Sequence, residues 1–163
     1  MRVIVNSSPL IFLAKLGLLD VLGELFEEVY ITDGVYHETV VEGHGHDEAL
    51  LIAEASFLRR VSIRDHELFR FLLEMIDYGE AETIVAALEN KFGLLILDDK
   101  DARKVARGFG LKVTGTLGIL FLAKRKSLIP AVGPYIEELR KHGFRISEDV
   151  LGKILESAGE LKS

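Results

Sequence analysis

Three carboxylates, Asp98, Asp99 and Asp101, fall within four positions of one another in the stretch LLILDDKDARKVAR. They follow the apolar run Leu94 to Leu97, which reads as a short buried strand. Beyond them, Ala102, Val105 and Ala106 form an apolar face at helical spacing, with Arg103, Lys104 and Arg107 polar. A strand that stops in acids and turns into a helix sets those acids at its carboxyl end. That is the edge at which open α/β sheets bind ligands. A single Asp there would be a helix cap, accepting free N–H groups and meeting the positive end of the dipole. Three exceed what a cap needs, and carboxylates gathered at a ligand edge can hold a hard cation or move protons.

Other chemistry-bearing residues stand at similar boundaries. The run Arg2 to Val5 ends in Asn6-Ser7-Ser8-Pro9, where Ser8 is a cap candidate and Pro9 fits a first helical position. The strand-like Glu28 to Thr32 ends at Asp33-Gly34, and a helix from there carries Tyr36, His37 and Glu38. Asp77-Tyr78-Gly79-Glu80-Ala81-Glu82 leads into the helical TIVAAL, and dipole complementation alone would account for Glu80 and Glu82. His44 and His46 lie in a Gly-rich loop without further ligands at zinc spacing, which reads as solvent-exposed loop.

The elements that must position these residues alternate. Strands at Arg2 to Val5, Glu28 to Thr32, Arg60 to Ile63, Leu94 to Leu97 and Leu111 to Thr114 are separated by amphipathic helices. Helices are expected over Leu18 to Phe26, Asp47 to Ser56, His66 to Ile76, from Gly115 to Lys126, from Pro130 to Gly143, and over Glu148 to Ser157. Alternation of this kind predicts a parallel sheet covered on both faces. With no repeat, linker or low-complexity tract, the chain reads as one domain, residues 1–163, of which 146–163 form a C-terminal helical extension.

Composition bounds the function. The 163 residues are 48% hydrophobic, enough for a real core. The longest apolar run, Leu117 to Ala123, cannot span a bilayer, and the N-terminus lacks signal-peptide architecture, so a cytoplasmic location without membrane contact is expected. There is no Cys, which excludes disulfides, thiolate zinc sites and Cys nucleophiles. The net charge of −6 argues against coating of DNA by the whole surface, yet it suits an acidic pocket with a local basic rim. Gln is absent and Asn occurs only at positions 6 and 90, a thermophile tendency in a chain that is 28% charged.

In such a sheet the strand ends carrying Asn6, Glu38, Glu82, Asp99 and Asp101 can converge. Carboxylates brought together without basic partners raise one another's pKa values, and a hard divalent cation relieves this. Oxygen-only ligands favour Mg²⁺ or Mn²⁺, which activate water and stabilise charge in phosphodiester cleavage.

Five segments then resemble the PIN-domain family, in order: VIVNSSPLIFLAKLG, ITDGVYHETV, EAETIVAAL, LILDDKDA and VTGTLGILFLAKRKSLI. The likeness runs over about residues 2 to 145 and is nearest to an uncharacterised prokaryotic branch. It implies a PIN-like three-layer α/β/α fold with a five-stranded parallel sheet. It also implies Mg²⁺- or Mn²⁺-dependent ribonuclease activity on single-stranded RNA, and for many relatives a toxin role, with a small antitoxin partner and a homodimeric state. By this resemblance Asn6, Glu38, Glu82, Asp99 and Asp101 are the metal residues, and Glu38, Glu82, Asp99 and Asp101 the catalytic ones. Ser8 would orient Asn6 or contact phosphate. Arg103, Lys104 and Arg107, or Lys124, Arg125 and Lys126, would supply the basic rim, although each cluster also reads as a solvated helix face.

Two positions depart from the family pattern. Asn6 stands where the first Asp is usual, and Leu97 where a Thr is usual. The alternative to an enzyme is therefore a PIN fold that has lost turnover and grips nucleic acid or a protein. A receiver-like signalling domain is disfavoured, because Val5-Asn6-Ser7 lacks an acidic pair after the first strand.

Overall fold

Val3, Ile4 and Val5 are wholly removed from solvent. That is what a β-branched run needs when it lies at the centre of a sheet covered on both faces. In the computed structural model, which describes residues 1–160, these residues belong to β1 (Arg2–Val5). The other strands are β2 (Glu28–Thr32), β3 (Leu58–Val61), β4 (Leu94–Ile96) and β5 (Val113–Thr114). All pair in parallel, in the order β3-β2-β1-β4-β5. This is the expected five-stranded parallel sheet of an α/β/α fold.

The period of two divides the core. Ile4 pairs with Leu95 on one side and Tyr30 on the other, and Leu95 pairs with Val113. Ile4, Leu95 and Leu97 pack into one apolar cluster with residues of α5 (His66–Leu72), α6 (Tyr78–Asn90) and α7 (Lys100–Gly108). Val3, Val5, Val29, Ile31 and Ile96 face the opposite way and are also buried. α1 (Ser7–Lys15), α2 (Val21–Leu25), α3 (Asp33–Tyr36) and α4 (Asp47–Glu54) complete the helices between β1 and β3. α3 runs directly into a π-helical turn, His37–Val41.

The described chain divides into two units, Met1–Thr116 and the residues from Leu117 onward. The sheet and every acid discussed above lie in the first. The second holds α8 (Thr116–Arg125) from Leu117, α9 (Gly133–Lys141) and α10 (Glu148–Ser157). Within it, Glu160 accepts the N–H groups of Val132 and Gly133 at 2.8 and 2.9 Å and pairs with Lys124 at 2.8 Å. Lys124 is thus tied down rather than free to serve as a basic rim. Among the described residues no helix is long and apolar enough to cross a membrane.

Boundaries moved where polar residues compete with apolar period. β3 begins at Leu58, two residues before the expected Arg60. α1 begins at Ser7, with Asn6 rather than Ser8 at the cap position. The π-helical turn was invisible to a reading based on the α period, because it inserts one residue into that period.

Candidate active site

β1 is followed on one side by β2 and β3, and on the other by β4 and β5. The carboxyl ends of β1 and β4 therefore flank the point where strand order reverses, which is where crevices open in sheets of this kind. Asn6 follows β1 directly, and its N–H donates to Ile96 O at 2.9 Å. Asp98 and Asp99 follow β4.

Gly79, in the first turn of α6, is where the polar groups meet. A Cβ added there would stand 3.0 Å from Glu38 Oε2, 3.5 Å from Asn6 Oδ1 and 3.9 Å from Ser7 Oγ. The bare backbone lets two segments, Asn6-Ser7 and the π-helical turn, bring oxygen atoms to one place. Asn6 is 6% exposed, and its Oδ1 accepts the Thr83 hydroxyl at 3.4 Å. The buried Ser7 Oγ has no hydrogen-bond partner in the protein, so a donor or acceptor from outside would satisfy it. Glu38 is exposed and comes from the π-helical turn, a distortion often found at functional positions. Ser8, expected from the sequence to orient Asn6 or contact phosphate, is exposed, and it is the neighbouring Ser7 whose hydroxyl lies close to Gly79.

The two glutamates of α6 divide the work. Residues two apart on a helix point about 200° away from each other, so the two carboxylates leave α6 in different directions. Glu38 nonetheless lies near both, lining a cavity with Glu82 and acting by its charge on Glu80. Glu82 is 6% exposed, and its Oε1 accepts the Gly34 N–H at 2.7 Å, joining α6 to the start of α3. Glu80 is half-buried, and its Oε1 accepts the Asp77 N–H at 3.1 Å, closing a capping box at the start of α6. Its pKa is pushed up to about 6, first by burial, against the lowering effect of the Asp77 N–H. The charges of Asp99, Asp77 and Glu38 push it the same way as burial. Glu80 therefore shares a field with Asp99 and Glu38. The sequence signal for it is the Asp77-x-x-Glu80 capping spacing around Gly79, which dipole complementation alone does not bring out.

Asp99 is exposed, and its Oδ2 caps α7 by accepting the Ala102 N–H at 2.9 Å. Asp101 is exposed in the first turn of α7. Asp98 is turned to another task, holding Thr116. Arg103 is half-buried, its positive charge acts on Asp98, and its Nε is buried without a partner. Of the three residues expected on α7 as a basic rim, Lys104 and Arg107 are exposed.

The donor set is all oxygen: carboxylates of Glu38, Glu80 and Asp99, the Asn6 amide oxygen and the Ser7 hydroxyl. That chemistry fits a hard divalent cation, and the mutual repulsion felt by Glu80 is of the kind such an ion relieves. Among the described residues no three acidic or histidine side chains already form a cage for an ion. The fit therefore rests on donor type and on the approach of the Glu38, Asn6 and Ser7 oxygens to one place at Gly79.

Comparison with known proteins adds the family. The sequence family described as "PIN domain" matches residues 2–160. No curated protein matches the sequence. Among solved structures, the chain is similar to Mycobacterium tuberculosis VapC20, described as a sarcin-ricin loop cleaving toxin. The TM-score is 0.52 at 14% identity, over 63% of this chain and 94% of that one. It is also similar to a PilT N-terminus domain protein from the hyperthermophilic archaeon Sulfolobus solfataricus P2. There the TM-score is 0.49 at 20% identity, over 73% of this chain and 90% of that one.

Proposed function

The chain belongs to the PIN-domain family, and from that premise we propose that it is a metal-dependent ribonuclease acting on single-stranded RNA. In this reading it works in the cytoplasm as the homodimeric toxin of a toxin–antitoxin pair, restrained by a small antitoxin. The observation that carries the proposal is the field shared by Glu38, Glu80 and Asp99, beside Asn6 and Ser7, at the strand-order reversal. Acids from separate segments, held near one another against repulsion, are costly to the fold and useful to a site.

Glu38, Glu80, Asp99 and Asn6 would hold Mg²⁺ or Mn²⁺, with Asp101 assisting. When bound, the ion supplies charge neutralisation at the phosphodiester and eases deprotonation of water. The protein's own part is positional and protolytic. Hydrolysis joins a water oxygen to phosphorus as one P–O ester bond breaks. One proton must leave the water, and another must reach the departing ribose oxygen. Glu80 is held by the Asp77 N–H on its Oε1, which leaves Oε2 to face the ion or, while no ion is bound, to carry a proton. Glu82 fixes α3 against α6 through Gly34 and so sets where Glu38 stands. Unstacked RNA suits the reading because single strands present their backbone to an open cleft.

The test is cleavage of end-labelled single-stranded RNA in Mn²⁺, with EDTA and Glu80→Gln as controls. Cleavage that stops in both supports the reading, and cleavage that persists in EDTA refutes it. Asn6 favours a second reading, a PIN fold that binds RNA without turnover. RNA binding with no cleavage under any divalent ion would establish that one instead.

A further inference from the structure

A cavity of about 720 Å³ opens beside Glu38, between α3 with its π-helical turn and the start of α6. Tyr78 stands on its wall with 57% of its surface exposed, as does Val41 with 52%. Exposed rings are usually mobile, but this one is held. Phe69 meets it edge to face at 4.9 Å between centroids, and Gly34 lies beneath it, where a Cβ would be 3.0 Å from Tyr78 Cε1. Also on the wall, the Arg60 guanidinium lies 4.0 Å over the Tyr36 ring and 3.2 Å from Asp33 Oδ1.

A fixed aromatic face open to solvent loses little entropy on binding a flat partner. The remaining wall is acidic, with Glu38, Glu42 and Glu82 all on it. Such a wall repels a phosphate and accepts the N–H groups of an uncharged base. Arg60 is the one cation among the residues lining the cavity, so a phosphate belongs at that edge and not inside.

We propose that this cavity is a nucleobase subsite. An unpaired base flanking the bond to be cut stacks on Tyr78, and Arg60 meets the phosphate beside it. The proposal rests on the ribonuclease reading above and names the part of the substrate that this cavity holds.

The test is fluorescence anisotropy with a labelled single-stranded RNA octamer and its abasic variants, one position removed at a time, in EDTA and again in Ca²⁺ with the RNA checked intact. One abasic position should weaken wild-type binding about tenfold, as loss of a stacked base does. The same change should barely affect Tyr78→Leu, which keeps bulk against Phe69 but has no aromatic face, and should again cost about tenfold in Tyr78→Phe. With 2-aminopurine at that position, emission should be quenched on binding wild type. Losses that simply add between RNA and protein, or 2-aminopurine left unquenched, would overturn the subsite while leaving the ribonuclease reading in place. Wild-type protein that binds no RNA in either condition would overturn both.

Discussion

Asp98 grips Thr116 with both carboxylate oxygens: Oδ1 accepts the Thr116 N–H and Oδ2 the Thr116 hydroxyl, each at 2.7 Å. Thr116 is wholly buried, so both bonds are made away from solvent. The grip gives one of the three clustered aspartates a structural task and leaves it outside the proposed ion-binding group. It also explains Gly115, where a Cβ would stand 2.7 Å from Asp98 Oδ1.

Removing the grip should cost stability. Asp98→Ala leaves a buried N–H and hydroxyl unpaired and should destabilise by about 2–4 kcal/mol, read from urea midpoints. Asp98→Asn keeps an acceptor and should cost less. Burial raises the Asp98 pKa, against the lowering effects of the Thr116 bonds and the Arg103 charge. A raised folded value means that the stability linked to this proton is full below the ordinary carboxylate range. It is lost as pH rises through the raised value. Wild type should therefore gain on Asp98→Asn as the solution is acidified, and a difference that stays flat with pH would contradict this.

The division between Glu80 and Glu82 is open to direct measurement. Glu80→Gln should weaken Mn²⁺ binding about tenfold or more by calorimetry, since an opposing charge near a bound ion is worth over 1 kcal/mol even when well screened. Glu82→Gln should act mainly on stability, because only the amide oxygen can accept the Gly34 N–H and the NH2 must then be placed in a buried position. If the two variants change places, Glu82 is the ion's ligand and the assignment to Glu80 is wrong.

Glu80 also makes a prediction without any ion present. Its pKa rises from 4.5 to about 6 on folding. The stability carried by its proton is thus complete below pH 4.5 and lost as pH passes about 6. In EDTA at pH 8, Glu80→Gln should be more stable than wild type, by about 1 kcal/mol after allowance for solvent screening. Gln can still complete the capping box. Denaturation at pH 4.5 and pH 8 would check it, with the advantage expected to vanish at the lower pH.

The fold was legible because burial on both faces leaves a plain mark: RVIV and LLIL are continuous apolar runs between polar stops. All five strands appear in the expected order along the chain, and the last helix has the expected bounds, Glu148–Ser157. Side-chain direction was harder to read. Glu80 and Glu82 look equivalent in sequence, and only the helix phase separates the one at the field of Asp99 from the one under Gly34. Ser7 and Ser8 pose the same problem on α1. The cavity beside Tyr78 depends on residues from position 33 to position 82, and no local pattern encodes such a meeting.

Asn6 remains the decisive position. Its side chain is buried, takes the Thr83 hydroxyl, and would lie 3.5 Å from a Cβ on Gly79. An amide can offer a hard cation one carbonyl oxygen but no charge. At an effective dielectric near 20, a pair of unit charges about 4 Å apart is worth roughly 4 kcal/mol before desolvation. Water and the neighbouring acids offset much of that, so Asn6→Asp should tighten Mn²⁺ binding by about 1–3 kcal/mol, on the order of ten- to a hundredfold. It should also raise cleavage. The same charge has a cost when no ion is present, because a carboxylate added beside Glu38 and near Glu80 is repelled and poorly solvated. In EDTA at pH 8, Asn6→Asp should melt below wild type, and saturating Mn²⁺ should reverse that order. Thermal melts of both proteins with and without the ion test the crossing. A variant that folds, yet matches wild type in Mn²⁺ affinity and in both melts, would mean that Asn6 turns the chain after β1 and takes no part in binding the ion.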